Sequence, residues 1–374
     1  MKQKIITTLL LLSSLLLLFT GCTSAGSASS WPGYTIFEKT AYLSYGSQTF
    51  AVDLKNGALV WKYPSDEDRS RQVYAAPATG DGFVLVGDYN GSITALDQTN
   101  GTEKWEFDGA NDRYIGSALI SDGMVYTPNS DHYLYALDTE GNLKWKFKGD
   151  GPNWTKPLAD ENMIYLASMD HKFYGFDKKF SQDDLANAED GSKTLLANAK
   201  WSIDLGMAVV GDPVLDNGIA YVATIEGRLF AIDVKNKKLL WSFTNNGNLG
   251  AVWGTPVVTD EAIYVADVNG NIHAVDLLDG SALWSSPFSA GGKVISSGAA
   301  YEEGAVFATD EGKIFMINLN KEPKTITNLG NPIYSTIDLV GEQIVFAPAS
   351  EVSLLTAFDL NGFEVWAFLP PEKK

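Results

Sequence analysis

Side chains that commonly carry out catalysis are scarce in this sequence. Its 374 residues include three histidines and a single cysteine, Cys22, which excludes an intramolecular disulfide framework and a cysteine-rich metal cage. There is no Gly-x-Ser-x-Gly, His-Glu-x-x-His or phosphate-cradling glycine motif, no Cys-x-x-Cys-His haem motif and no calcium-loop pattern. Linear motifs therefore give no support to an enzyme, and we predict neither catalytic residues nor a metal site.

The three histidines are better explained by structure than by chemistry. His132 and His171 lie six residues before the Asp of a repeated motif described below, where other copies have Gly. We therefore predict turn positions with a positive φ, which His tolerates better than most residues. His273 occurs where other copies have Tyr or Phe, so we predict that it lies in the core.

The cysteine lies where a lipid attachment would need it. An apolar run of 15 residues, Ile5 to Phe19, follows two lysines and has the length of a signal-peptide core. The sequence Phe19-Thr20-Gly21-Cys22 resembles the lipobox of bacterial lipoproteins, with Phe in place of the usual Leu. The resemblance implies that residues 1–21 are a signal peptide, that Cys22 is diacylated, and that residues 22–30 form a flexible membrane tether. The alternative is an ordinary secretory signal that is cleaved a few residues later.

Composition and charge exclude several classes of partner. Hydrophobic residues make up 45% of the chain, which is typical of a globular protein with a buried core. The formal net charge is −18, from 46 acidic and 28 basic side chains. Nucleic acids and anionic lipid surfaces are bound by clustered Lys and Arg, so we predict no nucleic-acid partner and no polybasic membrane patch.

One motif recurs about every 42 residues and defines eight copies across residues 31–368. It consists of Ala-x-Asp, a Gly four residues after the Asp, and a Trp four residues after the Gly. The spacing between motif Asp positions is 39–44 residues, except for one step of 56 that contains an insertion at 178–200. The seventh copy has Ile326 instead of Trp, so we predict that it is the least stable. The motif tryptophans are Trp61, Trp105, Trp145, Trp201, Trp241, Trp284 and Trp366.

Each copy contains four short β patterns separated by turn residues. In the sixth copy the predicted strands are Thr255–Val258, Ile263–Ala266, Asn271–Asp276 and Ala282–Ser285. Four-stranded units at this period indicate a β-propeller, so residues 31–374 are predicted to form one all-β domain with eight four-stranded antiparallel blades. A helical turn is predicted only as a possibility within the insertion. The motif Trp is expected to pack between adjacent blades, on the Ala of its own motif.

This motif resembles the tryptophan-docking motif of the pyrroloquinoline-quinone (PQQ) type propellers, over almost the whole chain after the signal peptide. That family includes PQQ-dependent alcohol dehydrogenases and a cofactor-free relative, the lipoprotein B subunit of the outer-membrane β-barrel assembly machine. In the dehydrogenases, PQQ lies between a Trp and a disulfide of adjacent cysteines, beside a Ca²⁺ ion. This chain has no adjacent cysteines. We therefore predict no cofactor, and in particular no PQQ.

A second set of aromatic residues precedes the innermost strands. Trp31, Trp154 and Trp253 share one repeat position, and Tyr74 takes that position in the second copy. In a propeller these positions surround one mouth of the central channel. The same connections contain the basic residues Arg71, Arg113, Lys156 and Lys293. Either these side chains plug the channel, or they form a binding surface for a protein, a stacked sugar or an aromatic ligand.

The insertion at 178–200 joins the third strand of its blade to the outer strand. We expect it to project from the face opposite the aromatic residues, either as a second contact site or as a tolerated loop.

The sequence favours an exported, lipid-anchored, non-enzymatic and monomeric propeller that binds another envelope or membrane protein. We expect it on the outside of the cytoplasmic membrane or on an outer membrane. The alternative is a module that binds a solute or glycan at the channel mouth. A PQQ-dependent dehydrogenase is the third hypothesis.

Overall fold

The computed structural model describes residues 32–68, 70–179, 185–187, 195–302, 304–350 and 353–370. Cys22, Trp31 and the predicted signal peptide lie outside these ranges. Within them, no helix has the length and apolar character needed to cross a membrane. The described part is almost entirely β-structure, with a single short 3-10 turn at Asn245–Gly247.

Eight antiparallel sheets follow one another along the chain, and each contains four strands of its own repeat. The first four blades consist of β1 (Gly33–Phe37), β2 (Thr40–Tyr45), β3 (Gln48–Asp53) and β4 (Leu59–Tyr63); β5 (Ala78–Gly80), β6 (Phe83–Gly87), β7 (Ile93–Asp97) and β8 (Glu103–Phe107); β9 (Leu119–Ser121), β10 (Met124–Pro128), β11 (Tyr133–Asp138) and β12 (Leu143–Lys148); and β13 (Leu158–Ala159), β14 (Met163–Ala167), β15 (Lys172–Asp177) and β18 (Trp201–Asp204). Strands β16 (Leu185–Asn187) and β17 (Leu195–Ala197) belong to the insertion.

Blades five to eight repeat the same arrangement, and within each blade every strand pairs with the next one along the chain. They consist of β19 (Val214–Asp216), β20 (Ile219–Ala223), β21 (Leu229–Asp233) and β22 (Lys238–Phe243); β23 (Val257–Val258), β24 (Ile263–Ala266), β25 (Asn271–Val275) and β26 (Phe288–Ser289); β27 (Ala299–Tyr301), β28 (Gly304–Ala308), β29 (Lys313–Asn318) and β30 (Pro323–Asn328); and β31 (Ile333–Val340), β32 (Gln343–Pro348), β33 (Leu355–Asp359) and β34 (Glu364–Phe368).

The first strand of each blade is the innermost one, and neighbouring first strands pack against each other. β1 packs on both β5 and β31, so the eighth blade meets the first and closes the ring. The Tyr34 hydroxyl donates a hydrogen bond across this seam to the Val345 carbonyl, at 2.7 Å. The first and last blades each use four consecutive strands, so closure borrows no strand from the other terminus. The eight-bladed, all-β propeller predicted from the repeat is confirmed.

The core lies between the blades, where the middle strands are buried on both faces. β6, with the sequence FVLVG, shows the near-continuous apolar run that such burial requires. In five blades the motif Trp pairs with the motif Ala across the two outermost strands, as Ala51 does with Trp61. Four of the indoles also donate a hydrogen bond to a carbonyl of the next blade: Trp61 to Gln98 (3.1 Å), Trp105 to Thr139 (2.8 Å), Trp241 to Leu277 (3.2 Å) and Trp284 to Leu319 (2.7 Å).

The motif Gly is required by the same contact. Gly101 has a φ of +71° in the turn of blade two that packs on the Trp61 indole. A Cβ at this position would lie 2.5 Å from Trp61 Cε3, closer than atoms can approach. Glycine therefore supplies both the left-handed turn and the space for the indole.

The outer strand of blade six differs from the prediction of Ala282–Ser285. Ala282 forms only an isolated bridge with Val275, and pairing resumes at Phe288 opposite Ile272. Phe288 follows Trp284 by four positions, whereas Phe243 of blade five follows Trp241 by two. The two extra residues include Pro287, which has no N–H to donate to a ladder, so the strand is interrupted.

The described part of the insertion forms two strands that lie along the edge of blade three and do not project from one face. Much of the range in which a helical turn was possible, 181–184 and 188–194, lies outside the described residues. β16 and β17 pair with each other, and β17 pairs in parallel with β12, through Leu196 and Lys146. The insertion of blade four thus extends the sheet of blade three to six strands. Ala197 is buried there in the cluster that contains Trp145 and Phe147, which explains why the segment lies along the outer edge.

Candidate functional site

All connections from an outer strand to the next inner strand lie on one face of the ring, which we call the mouth face. Its described connections are residues 64–68, 70–77, 108–118, 149–157, 205–213, 244–256, 290–298 and 329–332. Every inner strand begins here, beside the central channel. The structure places Tyr74, Trp154 and Trp253 on this face, and Trp31 is outside the described residues.

Trp253 is the most exposed aromatic side chain of the mouth connections, at 47%. Its connection is nevertheless held to the propeller by main-chain hydrogen bonds. The Gly250 N–H donates to the Asp267 carboxylate at 2.9 Å, and the Val252 N–H donates to the Thr224 carbonyl at 3.1 Å. An exposed indole on a fixed backbone loses little conformational entropy when a partner covers it.

A second aromatic cluster contains Tyr74, Tyr89 and Arg113. The centroids of the two tyrosine rings are 4.1 Å apart, and the guanidinium carbon of Arg113 lies 5.4 Å from the Tyr89 centroid. Tyr89 comes from the turn between β6 and β7, so sequence reasoning limited to the inner-strand connections missed it. The two rings and the guanidinium together present an aromatic surface with a positive charge at one side. Such a surface suits a contact with a protein or a sugar.

Trp154 is more deeply placed than Trp253. Its indole N–H donates to the Ser130 hydroxyl at 3.1 Å, and its side chain is partly buried. A Cβ at Gly116, in the connection to the preceding blade, would lie 2.6 Å from the Trp154 carbonyl oxygen, so the two mouth connections approach closely. The sequence left two interpretations of these aromatic residues, a plug of the channel and a binding surface. The plug fits the partly buried position of Trp154, and the binding surface fits the exposed Trp253.

Arg71 acts within the fold. Its side chain is 17% exposed, and its Nε lies 3.1 Å from the Asp88 carboxylate. Its Nη2 lies 3.5 Å from Glu106 and donates to the Thr94 hydroxyl at 2.6 Å. Burial alone would lower the pKa of Arg71, but the carboxylates of Asp88 and Glu106 raise it. This guanidinium therefore ties a mouth connection to the blade behind it.

Lys156 and Lys293 occupy different depths. Lys293 is exposed, and its backbone N–H donates to Asp310 at 2.8 Å. Lys156 is partly buried at the start of an inner strand, where its N–H donates to the Asp212 carboxylate at 2.7 Å. Burial raises the pKa of Asp212.

The four basic residues do not make the described mouth connections basic, because acidic side chains outnumber them there. Arg113 lies 3.3 Å from Asp112, and Arg71 is paired as described above. On the described mouth connections, exposed carboxylates outnumber exposed basic groups. The exposed carboxylates there are Asp66, Glu67, Asp68, Asp108, Asp112 and Asp150.

A buried polar residue lies at the end of the second strand in seven blades, and the sequence prediction missed it. In seven blades it occurs nine residues before the motif Asp or Asn and is at most 1% exposed. Asp88 shows its role, since one carboxylate oxygen accepts the N–H groups of Asn90 and Ser92, both at 2.9 Å. The constant spacing of nine residues is the sequence signal that could have identified this set. The set is Ser44, Asp88, Asn129, Ser168, Thr224, Asp267 and Thr309.

The histidines have the predicted structural positions. His132 and His171 have φ values of +76° and +74°, which confirms the left-handed turns. His273 is 3% exposed, which confirms the core position, and its Nε2 lies 3.8 Å from an Asp267 carboxylate oxygen.

The residues present do not fit PQQ bound as in the dehydrogenases. That arrangement needs a disulfide between adjacent cysteines, and the sequence has only Cys22. It also needs carboxylate or amide ligands for Ca²⁺. Among the residues that the structure describes, no three His, Cys, Asp or Glu side chains lie close enough together to hold a metal ion.

Known proteins resemble this chain in sequence and in fold. The protein named outer membrane protein assembly factor BamB from Moranella endobia is 23% identical over 231 residues, which are 60% of this chain and 57% of that protein. A protein named putative dehydrogenase XoxF from Paracoccus denitrificans is 28% identical over 142 residues, 33% of this chain and 24% of that protein. The chain thus spans less than two thirds of these curated relatives. The crystal structure of BamB from Moraxella catarrhalis matches the fold with a TM-score of 0.70 at 16% identity, over 87% of this chain and 92% of that one.

The family model for the outer membrane protein assembly factor BamB matches residues 24–117, 90–183 and 187–325. These segments include the docking motifs of most blades and the mouth connections that carry Tyr74, Trp154 and Trp253. Because the matched segments cover more than half of the chain, this protein belongs to the family of the outer membrane protein assembly factor BamB.

Proposed function

We propose that this chain is an exported, lipid-anchored scaffold that binds another envelope protein at its mouth face and catalyses no reaction. The observation that carries this proposal is Trp253, which is 47% exposed on a connection held by buried hydrogen bonds. Trp, Tyr and Arg dominate the binding energy of protein interfaces. Trp253 and the Tyr74–Tyr89–Arg113 cluster supply these three residue types on one face.

The family supports a scaffold because its model carries the name of an assembly factor. Relatives named as dehydrogenases cover smaller parts of the chain, as XoxF does with 33%. We propose that this protein works without PQQ, since the donor set required by the dehydrogenases is missing from the sequence.

The test is affinity purification of the full-length protein from solubilised membranes of its own organism, with mass spectrometry of the proteins retained. We expect one envelope protein in stoichiometric amount. Trp253→Ala and Tyr74→Ala are each expected to lower its yield by about tenfold or more, because truncation of an interface hot spot costs at least about 2 kcal/mol.

Phe363→Ala is the matched control for these variants. Phe363 is an aromatic residue with 70% exposure, but it follows the turn of Asp359 on the face opposite the mouth. It is expected to leave the yield unchanged. A partner that persists in the Trp253 and Tyr74 variants would retain the scaffold and remove the proposed site, and a wild-type protein without any partner would contradict the scaffold.

Binding of a solute or glycan at the mouth face is the second candidate function. The exposed Trp253 and the adjacent rings of Tyr74 and Tyr89 are also platforms on which a sugar ring could pack. This function predicts that a glycan fraction quenches tryptophan fluorescence of the purified propeller, and that Trp253→Phe removes most of the change. Unchanged fluorescence with cell-envelope glycans would exclude it.

A further inference from the structure

Blade seven has different residues at the ladder positions that the Ala–Trp pair takes elsewhere. Pairing of β29 with β30 places Lys324 opposite Met316, the first residue of the seventh motif. In five other blades the first motif residue is Ala, and its partner is the motif Trp. Ile326 has the sequence spacing of a motif Trp, but it is the unpaired residue of a bulge in this ladder. Lys324 therefore occupies the ladder position of the missing indole.

Lys324 also makes the hydrogen bond that an indole makes between blades. Its Nζ donates at 3.0 Å to the carbonyl of Leu360, the residue that follows the motif Asp of blade eight. In four other blades the motif indole donates to the carbonyl at this same position of the next blade, which belongs to Gln98, Thr139, Leu277 or Leu319. The lysine thus keeps the hydrogen bond of the indole but supplies no ring to fill the space beside it.

A cavity of about 200 Å³ lies beside Met316 and Lys324. It is located at the ends of β27 and β29, on the face opposite the mouth, and Tyr301 and Ile317 contribute apolar surface to its wall. For comparison, an engineered cavity of about 150 Å³, left by removal of one buried apolar side chain, binds benzene. The cavity of blade seven is therefore large enough for one aromatic ring.

We propose that this cavity binds an indole, supplied by a tryptophan side chain of another polypeptide that has basic residues beside the tryptophan. Met316 is unbranched and flexible, so its thioether can adapt to a ring and contact it. Glu302 and Glu322 line the same cavity and are exposed, and their carboxylates favour Lys or Arg next to the bound side chain. Because the cavity opens to solvent, the ring is covered while the chain that carries it stays outside. This site shares no residue with the mouth face.

Fluorine NMR with a fluorinated indole tests whether the cavity accepts a ring. We expect the purified full-length protein to bind this probe with a dissociation constant on the order of 1 mM, since only one ring is buried. Lys324→Trp fills the cavity with the indole that other blades have, and it is expected to abolish binding. Met316→Ala restores the small motif residue and enlarges the cavity, so we expect several-fold tighter binding.

Lys238→Trp is the matched control. It adds an indole to the exposed start of β22 in blade five, away from the cavity, and is expected to leave binding of the probe unchanged. A wild-type protein that does not bind the probe would overturn the proposal. Binding that survives in Lys324→Trp, or an unchanged affinity in Met316→Ala, would show that the probe binds elsewhere and would overturn it as well.

Two short peptides with blocked termini decide the source of the indole. Lys-Trp-Lys and Glu-Trp-Glu carry the same ring between opposite charges. We expect the basic peptide to displace the probe at a concentration at least about tenfold lower than the acidic one, and Glu302→Lys combined with Glu322→Lys to remove this preference. If neither peptide displaces a bound probe, the ligand is a small molecule and a polypeptide is excluded. Equal displacement by both peptides would overturn the basic neighbours. These measurements use no residue of the mouth face, so their outcome is independent of the scaffold.

Discussion

At the scale of single residues, buried polar groups nine positions before the motif Asp bond to mouth connections in several blades, as Asn129 does to the Asp112 carbonyl and Ser168 to the Pro152 carbonyl. Asp267 is the most heavily bonded example. It accepts the N–H groups of Asn269 and Asn271 at 2.9 and 3.0 Å, and that of Gly250 at 2.9 Å. Because Gly250 lies three residues before Trp253, a buried carboxylate in one blade determines the position of an exposed indole on the surface.

The hydrogen bonds of Asp267 predict a dependence of stability on pH. Burial alone would raise its pKa, but the neighbouring His273 and the hydrogen bonds from Asn271 and Gly250 outweigh burial and lower the pKa from 3.8 to about 2. A lowered folded-state pKa contributes stability that is complete above the unfolded value and is lost as the pH falls from about 4 to about 2. We expect the wild type to lose about 2 kcal/mol more than Asp267→Asn over this interval.

Urea unfolding of the two proteins at a series of pH values between 5 and 2 measures this difference. The Asn variant keeps an acceptor oxygen but does not titrate. The difference between the two pH dependences of the free energy of unfolding therefore isolates the contribution of the Asp267 carboxylate. Parallel pH dependences of the two proteins would contradict the assignment.

At the scale of elements, the outer strands differ in how completely they are paired. The sequence predicted blade seven as the weakest because it has Ile326 in place of Trp. The structure shows five residue pairs between β29 and β30 in that blade, and Ile326 is 7% exposed. In blade six, only two residue pairs join β25 to β26. The smaller number of residue pairs therefore predicts that the outer strand of blade six, and not blade seven, is the least stable part of the ring.

Hydrogen exchange is expected to show this difference. The amides of residues 283–286 lie between the bridge at Ala282 and the start of β26, and among them only the Leu283 N–H donates to a strand carbonyl, that of Ala274. We expect this peptide to exchange faster than β22 by at least about tenfold, and faster than β30, because unpaired exposed amides open without breaking a ladder. Slower exchange in blade six than in blade seven would support the weak point predicted from the missing Trp.

At the scale of the whole molecule, stability depends on closure of the ring between the eighth and first blades. Tyr34 is 3% exposed, and its hydroxyl donates to the Val345 carbonyl at 2.7 Å across this seam. Tyr34→Phe leaves a buried carbonyl without that donor, so we expect a loss of about 1–3 kcal/mol in the free energy of unfolding.

Tyr221→Phe is the matched control for the seam. Tyr221 is 2% exposed at the centre of blade five and packs on Trp241, with ring centroids 6.0 Å apart. We expect its substitution to cost less than about 0.5 kcal/mol, as removal of a hydroxyl without a buried partner does. Urea unfolding measures both variants, and equal losses would show that the seam bond contributes nothing special.

The architecture could be predicted from the sequence because each repeat encodes its own four strands. The turn residues, the alternating apolar positions and the Trp–Ala pair lie within about 40 residues of one another, so counting copies gave the number of blades. The positions of His132, His171 and His273 followed from the same alignment. The mouth position of Tyr74, Trp154 and Trp253 also needed only the rule that inner strands begin on one face.

The exposure and the partners of those side chains were decided by contacts between segments distant in the chain. Arg71 is paired with Asp88 and Glu106, and the aromatic contact of Tyr74 depends on Tyr89. The insertion lies on blade three although it belongs to blade four, because β12 offered an unpaired edge to β17. A repeat determines its own strands by local hydrogen bonding and burial, whereas a surface is made where different repeats meet, and only the folded ring brings them together.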